Sequence, residues 1–118
     1  MKEFERLYTG LNTPNIELMK SNNKTNNELY AYMWGPDELK SSGTLKNFDL
    51  TARLHEITLP VLLLYGTLDI PSAEQANHVQ SLFKNADLKF FSQSAHLPIW
   101  TEQEEYLQTI IAFLQKNS

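Results

Sequence analysis

The sequence predicts an α/β chain in which two strands run parallel, with a helical segment ahead of them. Three observations predict it. The run VLLLY at 61–65 is apolar on both faces, as strands of parallel sheets are. A stripe at helical spacing, Ala73, Ala76, Val79, Leu82 and Phe83, separates that run from a second strand at about 88–91. A further stripe, Leu107, Ile110, Ile111 and Leu114, lines one face of a helix after the second strand. A strand, a crossover helix and a strand of this length imply a right-handed parallel βαβ unit.

Residues 1–47 read as a helical cap or lid segment. Thr13 and Pro14 make an N-cap and first-turn pair for a short helix through about Lys20, and SNNKTNN at 21–27 is a polar linker. A second short helix is expected from about Asn26 to Trp34. Gly35 and Pro36 stop it, because glycine accepts the left-handed C-terminal position and proline cannot continue a helix. Tyr30, Tyr32, Met33 and Trp34 give this segment its packing surface.

Residues 48–118 read as the α/β part. Leu50, Leu54 and Ile57 recur at i, i+4 and i+7 and predict a helix over roughly 49–56, after which Pro60 opens the first strand. Ser72 and Gln75 form a capping box for the crossover helix, and Thr101 and Glu104 form another for a C-terminal helix running to about Lys116. Two parallel strands make a small sheet, since parallel sheets normally extend over several strands and are covered on both faces. The edge of 61–65 is therefore expected to pair with a complementing chain or with a second copy in a symmetric dimer.

Composition narrows the function. With 118 residues, 42% hydrophobic and 11% aromatic, the chain can bury one modest core. Ten Lys and Arg against fourteen Asp and Glu give a net charge of −4, with no basic run, so no nucleic-acid footprint is present. The absence of cysteine excludes disulfides, thiol catalysis and thiolate metal sites. The start, MKEFERLYTG, is charged, and no uninterrupted apolar run is longer than the five residues Val61 to Tyr65, far short of a membrane span. The expectation is a soluble cytoplasmic protein that contacts no membrane.

Asp69 lies four residues past the end of the first strand and His96 five past the end of the second. Carboxyl ends of adjacent parallel strands sit side by side, at the edge where open α/β sheets place their sites. A carboxylate there can accept the imidazole Nδ1–H, fix the tautomer, and stabilise the imidazolium that forms when Nε2 takes a proton from a nucleophile. His55 and His78 fall in predicted helices with no second histidine at i+3 or i+4, so neither a metal nor a cofactor is expected. Arg53 reads as a surface or ion-pair residue.

The stretch YGTLDIPSAE, followed by SQSAHLPIW with 27 residues from acid to histidine, resembles the acid and histidine loops of the α/β-hydrolase fold. The resemblance is closer still to the proline iminopeptidase family of serine peptidases. AYMWGPDELKSSGTLKNFDLTARLHEITLPVLLLYGTLD looks like that family's segment from the end of the cap into the last sheet strands, with its GP-x-E element, GTLK and G-x-x-D acid loop. It covers about residues 29–115. The resemblance implies the C-terminal portion of an α/β hydrolase, with Asp69 as triad acid, His96 as general base, and Glu38 as the cap carboxylate that pairs with a substrate's free α-amino group.

Two departures shape the functional expectation. Family members generally carry a second acid directly after the triad Asp, where this chain has Ile70. No serine here stands in G-x-S-x-G; Ser41 has Gly43 after it but Leu39 before, and the family's glycine-rich oxyanion loop is absent too. The resemblance thus implies a serine-hydrolase portion, acting on peptides or small amides and esters, that forms no acyl-enzyme by itself. The alternatives are a non-catalytic remnant that folds by association, and a small-ligand module that uses the cap aromatics.

Overall fold

The computed structural model describes residues 26–37 and 40–118. The helix expected at 13–20, and Glu38, lie outside the described residues.

Helix α1 spans Asn27–Met33, one residue inside each expected boundary. Asn26 is its N-cap, with Oδ1 accepting the Leu29 N–H at 3.0 Å. Gly35 takes φ +115°, the left-handed backbone that L side chains avoid, and the chain doubles back. The N–H groups of Ser42 and Gly43 then both donate to the Trp34 carbonyl at 2.8 Å, and Leu45 N–H donates to the Met33 carbonyl at 2.9 Å. The returning strand of chain thus satisfies carbonyls that a helix end leaves open.

The helix expected at 49–56 is instead a 3-10 helix, Thr51–Glu56. The Asp49 carboxylate accepts the Thr51 N–H at 2.8 Å and sets a tight first turn. The stripe meant to hold an α-helix against a core finds little cover, with Leu50 46% and Ile57 39% exposed. So short a segment gains too few hydrogen bonds to outweigh helix nucleation without packing. Arg53 pairs with Glu56 at 2.8 Å, as an exposed ion pair.

The βαβ unit follows: β1 Val61–Gly66, α2 Ala73–Ser81 and β2 Ala86–Phe91. The strands pair in parallel, from Val61 opposite Ala86 to Gly66 opposite Phe91. The capping box of α2 forms completely: Gln75 N–H donates to Ser72 Oγ at 3.2 Å, and Ser72 N–H to Gln75 Oε1 at 2.8 Å. Ala76 turns fully into the core, while Val79, Leu82 and Phe83 are half-buried. Gln80 Nε2 donates to the Ala86 carbonyl at 2.8 Å, fastening the end of α2 to the start of β2.

A four-residue helix, α3 (Pro98–Thr101), precedes α4 (Gln103–Lys116). The capping box expected from Thr101 and Glu104 does not form. Glu102 occupies the N-cap position of α4 without capping it, and the Thr101 hydroxyl is engaged elsewhere. Helix α4 lies along β2, with the Tyr106 ring 5.9 Å from that of buried Phe91 and with Lys116 paired to Asp87 at 2.8 Å. Of the expected stripe only Ile110 is half-buried, whereas Leu107, Ile111 and Leu114 are exposed; the half-buried face is instead Tyr106, Ile110 and Phe113. The described residues supply two strands, and α4 turns its ring-bearing positions to them. Among the described residues, no helix is long and apolar enough to cross a membrane.

Candidate active site

The site forms where both strands end at the same edge. Thr67 N–H donates to the Phe91 carbonyl at 2.9 Å, its Oγ1 donates to the Ser92 carbonyl at 2.9 Å, and Leu68 N–H donates to the Ser94 carbonyl at 3.0 Å. These three bonds stitch the loop after β1 to the loop after β2. Gly66 makes the close approach possible: a Cβ there would run into the carbonyl oxygens of Ser94 and Ala95.

Asp69 closes a tight turn through its N–H to the Gly66 carbonyl at 3.2 Å. Its side chain is 8% exposed, and Oδ1 accepts the Ile70 N–H at 2.7 Å. Oδ2 stands 3.0 Å from His96 Nδ1, whose ring is 46% exposed. The carboxylate is thus oriented by its own backbone before it meets the imidazole. With Nδ1 protonated and bonded to Asp69, the basic lone pair belongs to Nε2, the arrangement that general-base catalysis requires.

Of the residues expected to carry chemistry, the fold brings together Asp69 and His96, and Glu38 lies outside the described residues. Ile70, beside the acid, is 62% exposed. His55 and His78 are exposed, and among the described residues no group of three His, Cys, Asp or Glu could hold a metal. Around the histidine loop stand residues that sequence reasoning passed over. Ser94 is fully buried and its hydroxyl donates to a Glu102 carboxylate oxygen; the Thr101 hydroxyl donates to Ser94 Oγ at 2.6 Å, and Gln93 N–H to Glu102 at 3.1 Å. The available signal was a polar pair, Ser94 and Glu102, flanking His96; the capping-box pattern at Thr101 and Glu104 obscured it.

The chain is 43% identical over 89 residues to a proline iminopeptidase of Heyndrickxia coagulans, covering 75% of this chain and 31% of that protein. It is 36% identical over 90 residues to a proline iminopeptidase of Clostridium botulinum, covering 76% of this chain and 31% of that protein. The chain belongs to the proline iminopeptidase family, as a C-terminal portion. In three dimensions it matches the crystal structure of a proline iminopeptidase of Mycobacterium smegmatis with a TM-score of 0.82, at 21% identity, covering 98% of this chain and 40% of that one. That likeness shows the α/β-hydrolase fold. No protein-family model matches the chain. The chain spans about a third of the length of these proline iminopeptidases.

Proposed function

We propose that the chain supplies the acid and base of a serine hydrolase resembling proline iminopeptidase, acting in the cytoplasm on the amino terminus of peptides or on small amides and esters. The observation that carries the reading is the 3.0 Å approach of Asp69 Oδ2 to His96 Nδ1 at the carboxyl edge of a parallel sheet. In the reaction, His96 Nε2 accepts the proton of a serine hydroxyl as the oxygen attacks the carbonyl carbon, and returns it to the leaving amine as the acyl-enzyme forms. Water then attacks the acyl group with His96 again taking the proton. Asp69 keeps Nδ1 protonated and balances the imidazolium. Glu38, on the cap of residues 1–47, pairs with the substrate's α-ammonium; with Ile70 in place of a second acid, that grip is weaker than in a site with two carboxylates.

No serine of this chain stands in G-x-S-x-G, so the nucleophile in this reading comes from outside the 118 residues. The test is release of a chromogenic amine from proline p-nitroanilide by the chain alone, and after co-expression with the N-terminal two-thirds of the Heyndrickxia coagulans relative. Turnover only in the complemented sample, abolished by His96→Ala, is expected. Robust turnover by the chain alone that survives His96→Ala would overturn the reading.

A second reading is favoured by the exposure of Leu107, Ile111 and Leu114 and by a sheet of two strands among the described residues. In it the chain is a non-catalytic module that associates through the edge at 61–65. A clean folded monomer in sedimentation would count against it.

A further inference from the structure

We propose that Glu102 is a positioning residue for His96: its carboxylate, acting through Gln93 and Ser94, holds the loop after β2 so that the imidazole meets Asp69. The inference rests on the reading of His96 as a base.

Glu102 stands at the N-cap position of α4, where a short side chain such as Asp or Ser ordinarily accepts N–H groups of the helix. It makes no such bond. Both of its hydrogen bonds run backward to the histidine loop, to the Gln93 N–H at 3.1 Å and to the Ser94 hydroxyl. A half-buried carboxylate that forgoes its own helix is committed to that loop.

Ser94 is the junction. Its hydroxyl donates to Glu102 and accepts from the Thr101 hydroxyl at 2.6 Å, and its carbonyl accepts the Leu68 N–H at 3.0 Å. Leu68 immediately precedes Asp69, and Ser94 lies two residues before His96. One fully buried residue therefore fixes the backbone on both sides of the acid–base pair. A buried hydroxyl must keep its partners, so the loop cannot drift without leaving Ser94 unsatisfied. Thr101 adds a second anchor through its backbone N–H, which donates to the Leu97 carbonyl at 3.3 Å, on the far side of His96.

The experiment reads the His96 tautomer in the full 118-residue chain by imidazole 15N NMR, with amide exchange of β1 as a check on the fold. Wild type is expected to hold Nδ1–H as the major form. Asp69→Asn is the reference for loss of the pair and should turn the major form to Nε2–H. Glu102→Ala should lose the Nδ1–H majority and approach the Asp69→Asn pattern, with Glu102→Gln, which keeps one acceptor oxygen, falling between. A merely structural role would lower the melting temperature and leave the tautomer unmoved. Glu102→Ala with a wild-type His96 spectrum, beside an Asp69→Asn that does change it, would overturn the proposal alone. A spectrum unmoved by Asp69→Asn would overturn the base reading and the proposal with it. Should Glu102→Ala unfold, Glu102→Gln and Thr101→Val decide, and an unmoved His96 in both overturns the proposal.

Discussion

Gly66 and Ala95 stand back to back where β1 leaves the sheet, and the Ala95 carbonyl occupies the space a side chain on residue 66 would need. The obstruction is backbone, which cannot rotate away as a side chain can. Gly66→Ala should therefore part the two loops, destabilising the fold by about 1–3 kcal/mol, the usual cost of forced overpacking. The thermal midpoint should fall and the Asp69 to His96 hydrogen-bond proton should vanish from the NMR spectrum; a variant with wild-type midpoint and signal would refute the steric account.

In the complemented enzyme, Asp69→Asn should leave binding nearly intact and cut turnover. An amide in place of the carboxylate can donate to Nδ1 and turn the imidazole to the wrong tautomer, an effect worth about 10⁴ in kcat where the same triad logic operates. Steady-state kinetics would show it as a fall in kcat with KM little changed.

Phe91 is the largest fully buried apolar side chain among the described residues, lying between the sheet and Tyr106 of α4. Phe91→Ala should cost roughly 3–5 kcal/mol, the transfer free energy of the ring plus the cavity it leaves. Urea unfolding would report this as a lower midpoint, and Tyr106 fluorescence would report loosening of α4.

How much was legible in the sequence depended on where each element found its partners. The Ser72 and Gln75 box, and Gly35 with Pro36, specify local structure that needs only neighbours, and both appear as expected; VLLLY forms β1 because a short crossover brings β2 beside it. The Asp69 and His96 pairing was also legible, because strand order and loop length alone bring those positions to one edge. The stripe Leu50, Leu54 and Ile57 promised an α-helix, but periodicity does not say whether a covering surface exists, and a 3-10 turn resulted. Thr101 and Glu104 match a capping pattern, yet the Thr101 hydroxyl has a buried competitor in Ser94, seven residues back, which a capping pattern does not show. The same capping pattern hides the Ser94 and Glu102 pair that flanks His96.

Acid should weaken the segment ahead of β1. The Arg53 guanidinium holds the Glu56 carboxyl below its ordinary range, and hydrogen bonds from Thr51 do the same for Asp49. Both folded-state values lie below the unfolded ones, so the stabilisation is complete above the ordinary carboxylate range and is lost as pH falls through the folded values. Both groups are fully exposed, and the effect is small and salt-sensitive. A carboxyl 13C titration should show the Glu56 midpoint rising toward its ordinary value in Arg53→Ala while Asp49 stays put.

The parallel ladder from Val61 opposite Ala86 to Gly66 opposite Phe91 carries a consequence for how the site can fail. Adjacent registers of a strand pair differ by one residue, about 3.3 Å, and each step sends every side chain to the other face. No intermediate setting exists. Damage to the ladder should therefore act in an all-or-none way, lowering the share of molecules that hold an aligned acid and base while leaving the geometry of the remainder unchanged. Such a variant would show two populations of His96 signals in slow exchange, and its residual turnover would carry the pH profile of the intact pair.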